Sequence, residues 1–167
     1  MMEFLESNPE IEHIVVATTE GSVGVTFSTS IQRRKVIVVT HHTGFRKPNF
    51  NELDDTKKQL IVDSGAQILT TTHAFAGIAR GLRNTLGTYS LTEMIAYAFR
   101  TFGQGTKVCA EIAMMAADTG LIPVDRDIVC VGGTNRGADT AWVIRAANTN
   151  NFPDLRMRAC LCKPLEF

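Results

Sequence analysis

The sequence predicts an α/β domain of three layers, α/β/α, with helices on both faces of a mixed, mostly parallel sheet. Three observations carry this. The runs at 13–17 (HIVVA), 35–40 (KVIVVT) and 66–72 (AQILTTT) are short and apolar or β-branched, without the strict alternation of a half-exposed strand. Such runs mark strands covered on both faces. Segments with helical spacing lie between them, so strand and helix alternate. Finally, residues 128–131 and 141–146 form two further apolar runs, and their short connection leaves little room for a crossover helix. That pair is expected to be antiparallel. At 167 residues, with no repeat, low-complexity tract or linker, the chain reads as a single domain, 1–167.

Each element has its own justification. The strand at 13–17 ends in Thr18, Thr19, Glu20, Gly21 and Ser22. Residues 23–31 place Val23, Phe27 and Ile31 at helical spacing against a poor intrinsic propensity. A helix is still expected, because the next strand must return on the same side. After the strand at 35–40, Asn51 is the expected N-cap of a helix running to about residue 64, with Leu53, Leu60 and Ile61 inward and Gly65 as its stop. The strand at 66–72 follows. Residues 74–86 read as a helix with Arg80 and Arg83 on an exposed side and Gly87 at its end. Ser90 and Glu93 form a capping box ahead of Met94, Ile95, Ala98, Phe99 and Phe102. Gly103 and Gly105 break that helix, and another spans 106–119 before Gly120 and Pro123. A last candidate strand covers 157–162.

Composition excludes some functions and suggests a setting. Seventeen basic residues balance seventeen acidic ones, which is not the basic footprint of a nucleic-acid binder. Near-zero net charge gives little colloidal repulsion, so a homo-oligomer is expected. No apolar run is long enough to span a membrane. The acidic start lacks a signal-peptide pattern, and Cys109, Cys130, Cys160 and Cys162 all lie in apolar surroundings. The expectation is a cytoplasmic protein with buried, reduced thiols.

The candidate site follows from the strand ends. In an open α/β sheet, ligands bind beyond the carboxyl ends of the strands. Here those ends are polar and loop-forming: Thr18–Ser22; Thr40, His42, Thr43 and Gly44; Thr72 and His73; and Gly132, Gly133, Thr134, Arg136, Gly137, Ala138 and Asp139. The first cluster opens a helix, where free N–H groups and hydroxyls suit a phosphate, although plain capping explains the same residues. Glu20 opposes an anion unless it turns away or holds a cation or hydroxyl. In GGTNRGAD the glycines leave amides uncovered and able to wrap a small anion. Neither a P-loop nor a dinucleotide fingerprint is present, since Gly103-Gln104-Gly105 follows a helix and lacks the third glycine.

Other residues admit two readings. His41, His42 and His73 lie at neighbouring strand ends; no metal site is expected, and His42 or His73 is a candidate to hydrogen-bond a ligand. Lys107, Glu111, Met114 and Asp118 share one helix face, which favours a solvated Lys107–Glu111 pair; the alternative has Glu111 reaching into the crevice. Arg80 and Arg83 are solvated or meet a phosphate. Trp142 is core or interface, or stacks on a ring. Cys109 sits in the first turn of a helix, where packing is favoured over a reactive role. No Ser–His–Asp or Cys–His set is recognisable.

HIVVATTEGSVGV resembles the first strand and phosphate-gripping loop of the pyruvate kinase C-terminal domain, and DIVCVGGTNRGADTAWVIRA resembles that domain's closing hairpin. GTKVCAEIAMMAADTGLIP and VTHHTGF resemble more closely a group of stand-alone archaeal and bacterial pyruvate kinase α/β-domain-like proteins. The resemblance implies a sheet of order 3-2-1-4-5 with strand 5 antiparallel. Thr18–Ser22 and Gly132–Asp139 would then flank one crevice. It further implies that Thr18, Thr19, Gly21 and Ser22 grip the phosphate of a sugar phosphate or a flavin mononucleotide (FMN), with Gly133, Arg136 and Gly137 closing over it. The barrel that carries pyruvate kinase chemistry needs roughly 200 or more residues by itself, so no kinase activity is expected. The alternatives are a flavin-dependent oxidoreductase using His42, His73 or Glu111, and an oligomeric regulatory or assembly module. The resemblance also implies a helix before the first strand, of which this chain has little.

Overall fold

The computed structural model describes residues 1–167. Its strands are β1 (His13–Ala17), β2 (Lys35–Thr40), β3 (Gln67–Thr70), β4 (Asp127–Gly132), β5 (Thr140–Arg145) and β6 (Arg156–Cys162). They form one sheet of order β3-β2-β1-β4-β5-β6. The first four strands are parallel; β5 runs antiparallel to β4, and β6 antiparallel to β5. This is the expected order with the last candidate strand added at the β5 edge.

Helices α1 (Met2–Ser7), α2 (Ser22–Ser30) and α3 (Asp55–Asp63) cover one face, and α6 (Gln104–Asp118) covers the other. Helices α4 (Gly77–Leu86) and α5 (Leu91–Arg100) lie on the α6 side. The strands split their side chains between the two faces. Val15, Ile37, Ile128 and Cys130 join the α6 core, whereas Ile14, Val16, Val38 and Val129 join the α2–α3 core. Each of these side chains is completely buried, and burying one Val or Ile is worth about 1.5–3 kcal/mol. Alternation within a continuous apolar run therefore feeds two cores at once, which is why the run shows no polar phase.

Several boundaries differ from expectation. Asn51 does not cap α3; its Oδ1 accepts from Leu53 N at 2.9 Å, and Asp54 is the cap, accepting from Lys57 N at 3.0 Å. An Asx turn before the helix used the residue that looked like its start. Leu60 is 47% exposed, and Ile61 alone of α3 is fully buried. Gly103 is the N-cap of α6 and Gly105 lies inside it, because an added Cβ at Gly105 would come within 2.4 Å of Thr140 Cβ. Helix and β5 meet there too closely for a side chain. Cys160 and Cys162 are exposed on β6, the sheet edge, while Cys109 and Cys130 are buried. The capping box of α5 forms as expected, with Ser90 Oγ accepting from Glu93 N and Glu93 from Ser90 N. The short α1 buries Leu5, and its end is tied down by Arg34, which donates to the carbonyls of Leu5 and Ile11.

Candidate functional site

The carboxyl ends of β1, β2 and β4 open into a cavity of about 220 Å³. Its floor is apolar, from Val39 on β2 and Val108, Ile112 and Met115 on α6. Its rim carries Thr18, Thr19, Thr40, His73, Gly133, Arg136 and Gly137 from the expected set. Glu20, Gly21, Ser22, His42, Thr43, Gly44, Thr72, Gly132, Thr134, Ala138 and Asp139 stand outside that lining. His41, Phe45, Arg46, Gln104, Glu111 and Asn135 line it without having been in that set.

The turn after β1 is built by Gly21, whose φ of 107° is open to glycine at little cost. Thr18 Oγ1 accepts from Gly24 N at 3.3 Å, and the amides of Thr19, Glu20, Gly21, Ser22 and Val23 donate to no protein group. The free N–H groups of this turn and of Ser22 and Val23, the first residues of α2, make an electropositive end, with Thr18 already occupying the Gly24 amide. Glu20 and Ser22 turn toward α3: Lys57 Nζ donates to Ser22 Oγ at 2.9 Å and lies 3.9 Å from Glu20 Oε1.

The loop between β4 and β5 meets this turn. Thr19 Oγ1 donates to Asn135 O at 3.0 Å. Asp139 holds the loop from within, its Oδ2 accepting from Thr134 N at 3.2 Å and its Oδ1 from Thr140 Oγ1 at 2.5 Å. The Asp139 carboxylate is thereby structural. A Cβ at Gly133 would lie 2.1 Å from Gly137 O, so the tight loop requires glycine there. Arg136 is largely exposed, with Nη1 4.0 Å from Glu20 Oε2.

The third side is aromatic and ionisable. His41, Phe45 and His73 stack, with ring centroids 3.9 Å (His41–Phe45) and 5.2 Å (Phe45–His73) apart. His41 Nδ1 lies 2.6 Å from Glu52 Oε2, and Arg46 Nε donates to Glu52 Oε1 at 2.5 Å. Burial pushes the His41 imidazolium down more than Glu52 holds it up. Burial alone would raise the Glu52 carboxyl, but hydrogen bonds from His41 and Arg46 hold it below its usual range. His42 instead turns its Nδ1 to Thr43 O at 2.9 Å.

Behind His73 lies a buried ionic cluster, a correction to the solvated pair expected on α6. Lys107 is 6% exposed and Glu111 2%. Glu111 Oε2 accepts from Lys107 Nζ and lies 3.4 Å from His73 Nδ1, while Oε1 accepts from Phe75 N at 3.0 Å. Burial would raise the Glu111 carboxyl; His73 and Lys107 outweigh it and hold it at about 2. Lys107 has a single carboxylate partner, and burial pushes its ammonium down. His73 Nε2 is buried without a hydrogen-bond partner. Unpaired buried ring nitrogens are costly, and such groups concentrate at sites that handle ligands. No group of three or more His, Cys, Asp or Glu side chains is placed to hold a metal ion.

Sequence reasoning missed His41, Glu52 and Phe45 as partners. Glu52 is eleven residues from His41, and no local spacing announces a contact made by a loop folding back. Trp142, half-buried on β5, donates from Nε1 to Thr106 Oγ1 at 3.0 Å and packs on the α6 core.

Fold and site together define a class: a small three-layer α/β domain with a cavity at its parallel strand ends. No family model matches the chain. Among solved structures it is similar to a pyridoxal 5'-phosphate-dependent aspartate racemase, at 16% identity and a TM-score of 0.34, over 78% of this chain and 44% of that one. It is also similar to an O-ureido-L-serine-bound mutant of O-ureido-L-serine synthase, at 14% identity and a TM-score of 0.32, over 77% of this chain and 47% of that one. The chain spans less than half the length of either protein. No helix is long and apolar enough to cross a membrane.

Proposed function

We propose that the crevice binds a phosphate-bearing small molecule, an FMN-like nucleotide or a sugar phosphate, in the manner that the resemblance to stand-alone pyruvate kinase α/β-domain-like proteins implies. The observation that carries the reading is the uncapped turn at Thr19–Val23, whose five amides lack protein partners, facing the glycine loop of residues 133–139. A phosphate would accept from such amides and gain from the helix dipole. Thr18, Thr19 and Arg136 would add hydroxyl and guanidinium contacts. The apolar floor and the exposed parts of His41, Phe45 and His73 suit the body of a sugar, and at about 220 Å³ the cavity would take only part of a flavin ring. FMN, if bound, would supply hydride and electron chemistry; the chain's part would be to orient the ring and place His73 as a proton carrier, since the Glu111 carboxyl, held at about 2, carries no proton near neutrality. The buried His73–Glu111–Lys107 cluster favours that second reading, a flavin-dependent oxidoreductase.

The test is titration calorimetry and thermal shift with FMN, a hexose phosphate and inorganic phosphate. One of the phosphorylated compounds is expected to bind, and Arg136→Ala to weaken it about tenfold, roughly 1.4 kcal/mol, without changing the circular dichroism spectrum. Absence of a shift with all three overturns the reading. Self-association of the near-neutral chain belongs to the same proposal and is read by light scattering.

A further inference from the structure

A second cavity, of about 230 Å³, lies between α4, α5 and α6, sharing His41, Phe45, His73 and Glu111 with the first as a common wall. Its charges are unbalanced. Arg80, Arg83, Arg100 and Lys107 face Glu93 and Glu111. Arg83 Nη1 is paired with the buried Glu93 Oε1 at 2.8 Å, and Lys107 with Glu111. Arg80 and Arg100 have no carboxylate partner within ion-pair distance. Both are nonetheless held in place. The Arg80 guanidinium stacks over Phe45 at 4.4 Å from the ring centroid, and Arg100 lies 5.1 Å from the Tyr97 centroid while its Nε donates to Gln104 Oε1 at 2.8 Å.

We propose that this cavity is a second anion site, taking the carboxylate of a small planar organic acid. The Nη groups of Arg80 and Arg100 make no hydrogen bond within the protein, and a guanidinium edge matches the two oxygens of a carboxylate. Of the remaining walls, Phe75, Ala96 and Val108 offer contact to carbon, while Tyr97 and Gln104 add polar groups, so the lining is more polar than apolar. The cavity also stands under electrostatic pressure that an anion would relieve. After burial itself, Arg100 and Arg80 are among the influences that push the Lys107 ammonium down. Gln104, Val108 and Glu111 also line the first crevice, so the two sites share this wall and are tested with separate probes.

The test titrates the full chain with benzoate, with inorganic phosphate as a second arm, by calorimetry and by amide chemical shifts. Benzoate is expected to bind saturably, to shift residues of α4 and α5, and to weaken with added salt. Arg80→Gln and Arg100→Gln should each lower its affinity about tenfold. Arg126→Gln, which removes an exposed charge at the amino-terminal end of β4, at the opposite end of the sheet, should leave it unchanged. Two arginine variants guard against one failing to fold, which circular dichroism reports. Absence of saturable benzoate binding overturns the proposal, as does unchanged affinity in the folded arginine variants. Tighter binding of phosphate at the same residues overturns the carboxylate assignment. Because the first crevice is probed by FMN and hexose phosphate, failure of either site is seen separately.

Discussion

At the scale of single residues, Glu111 governs the pH response of the site. Its carboxyl is held at about 2 against an ordinary value of 4.5, in a buried setting. A carboxyl depressed in the folded state contributes stability above its unfolded value, and that contribution is lost as pH falls from 4.5 through the folded value. The shift corresponds to roughly 3 kcal/mol at most. Urea unfolding at pH 6.5 and pH 3 should therefore show a loss for the native chain that Glu111→Gln lacks. At pH 6.5 the variant should itself be less stable by about 3–5 kcal/mol, since Lys107 is left buried without its carboxylate. An equal acid sensitivity in both proteins would assign the loss to other groups. The i,i+4 spacing of Lys107 and Glu111 was legible in the sequence, but their burial was not. The same spacing serves a solvated helix face and a face covered by neighbouring chain, and only the placement of α4, α5 and residues 73–75 decides between them.

At the scale of elements, α2 shows why propensity and packing must be weighed together. Its sequence, rich in Val, Thr and Ser, favours strand, yet it folds as a helix whose Gly24 sits against β2 and α3. An added Cβ at Gly24 would lie 2.7 Å from Val38 Cγ1 and 2.9 Å from Ile61 Cδ1. Alanine in a helix is intrinsically better than glycine by about 1 kcal/mol. Overpacking between a helix and a buried strand costs about 1–3 kcal/mol, so Gly24→Ala should lower the urea midpoint. A raised midpoint would show that the α2–β2 gap yields easily. The expected helix at this position was sound because a parallel strand had to return on the same side. What sequence did not reveal was the close approach, since a lone glycine in a helical pattern gives no sign of its neighbours. The same limit hid Gly105, which read as a helix breaker and is a contact point inside α6.

At the scale of the whole molecule, the antiparallel β4–β5 pair was legible from its short connection, while the sheet order, and with it the meeting of the Thr18–Ser22 and Gly132–Asp139 loops, followed from the family resemblance alone. The strand at 157–162 and the helix at 74–86 were legible as elements, but not that β6 is an edge strand exposing Cys160 and Cys162 or that α4 buries no side chain, since neither follows from local pattern. Helix α4 contributes no buried side chain, whereas α6, β1 and β4 supply most of the α6 core and strands β1, β2, β4 and β5 most of the other. Local opening free energies follow such differences. Amide hydrogen exchange should find β1, β2, β4 and α6 protected to the level of global unfolding, and α4 and β6 exchanging well before them. Addition of the phosphorylated ligand should raise protection most around residues 19–25 and 133–139, because a bound phosphate lowers the free energy only of states in which both loops are formed. Benzoate should instead protect α4 and α5, the elements that carry Arg80 and Arg100. Uniform protection across the chain under either ligand would mean that neither cavity is a locally closing site, and that binding is coupled only to global folding.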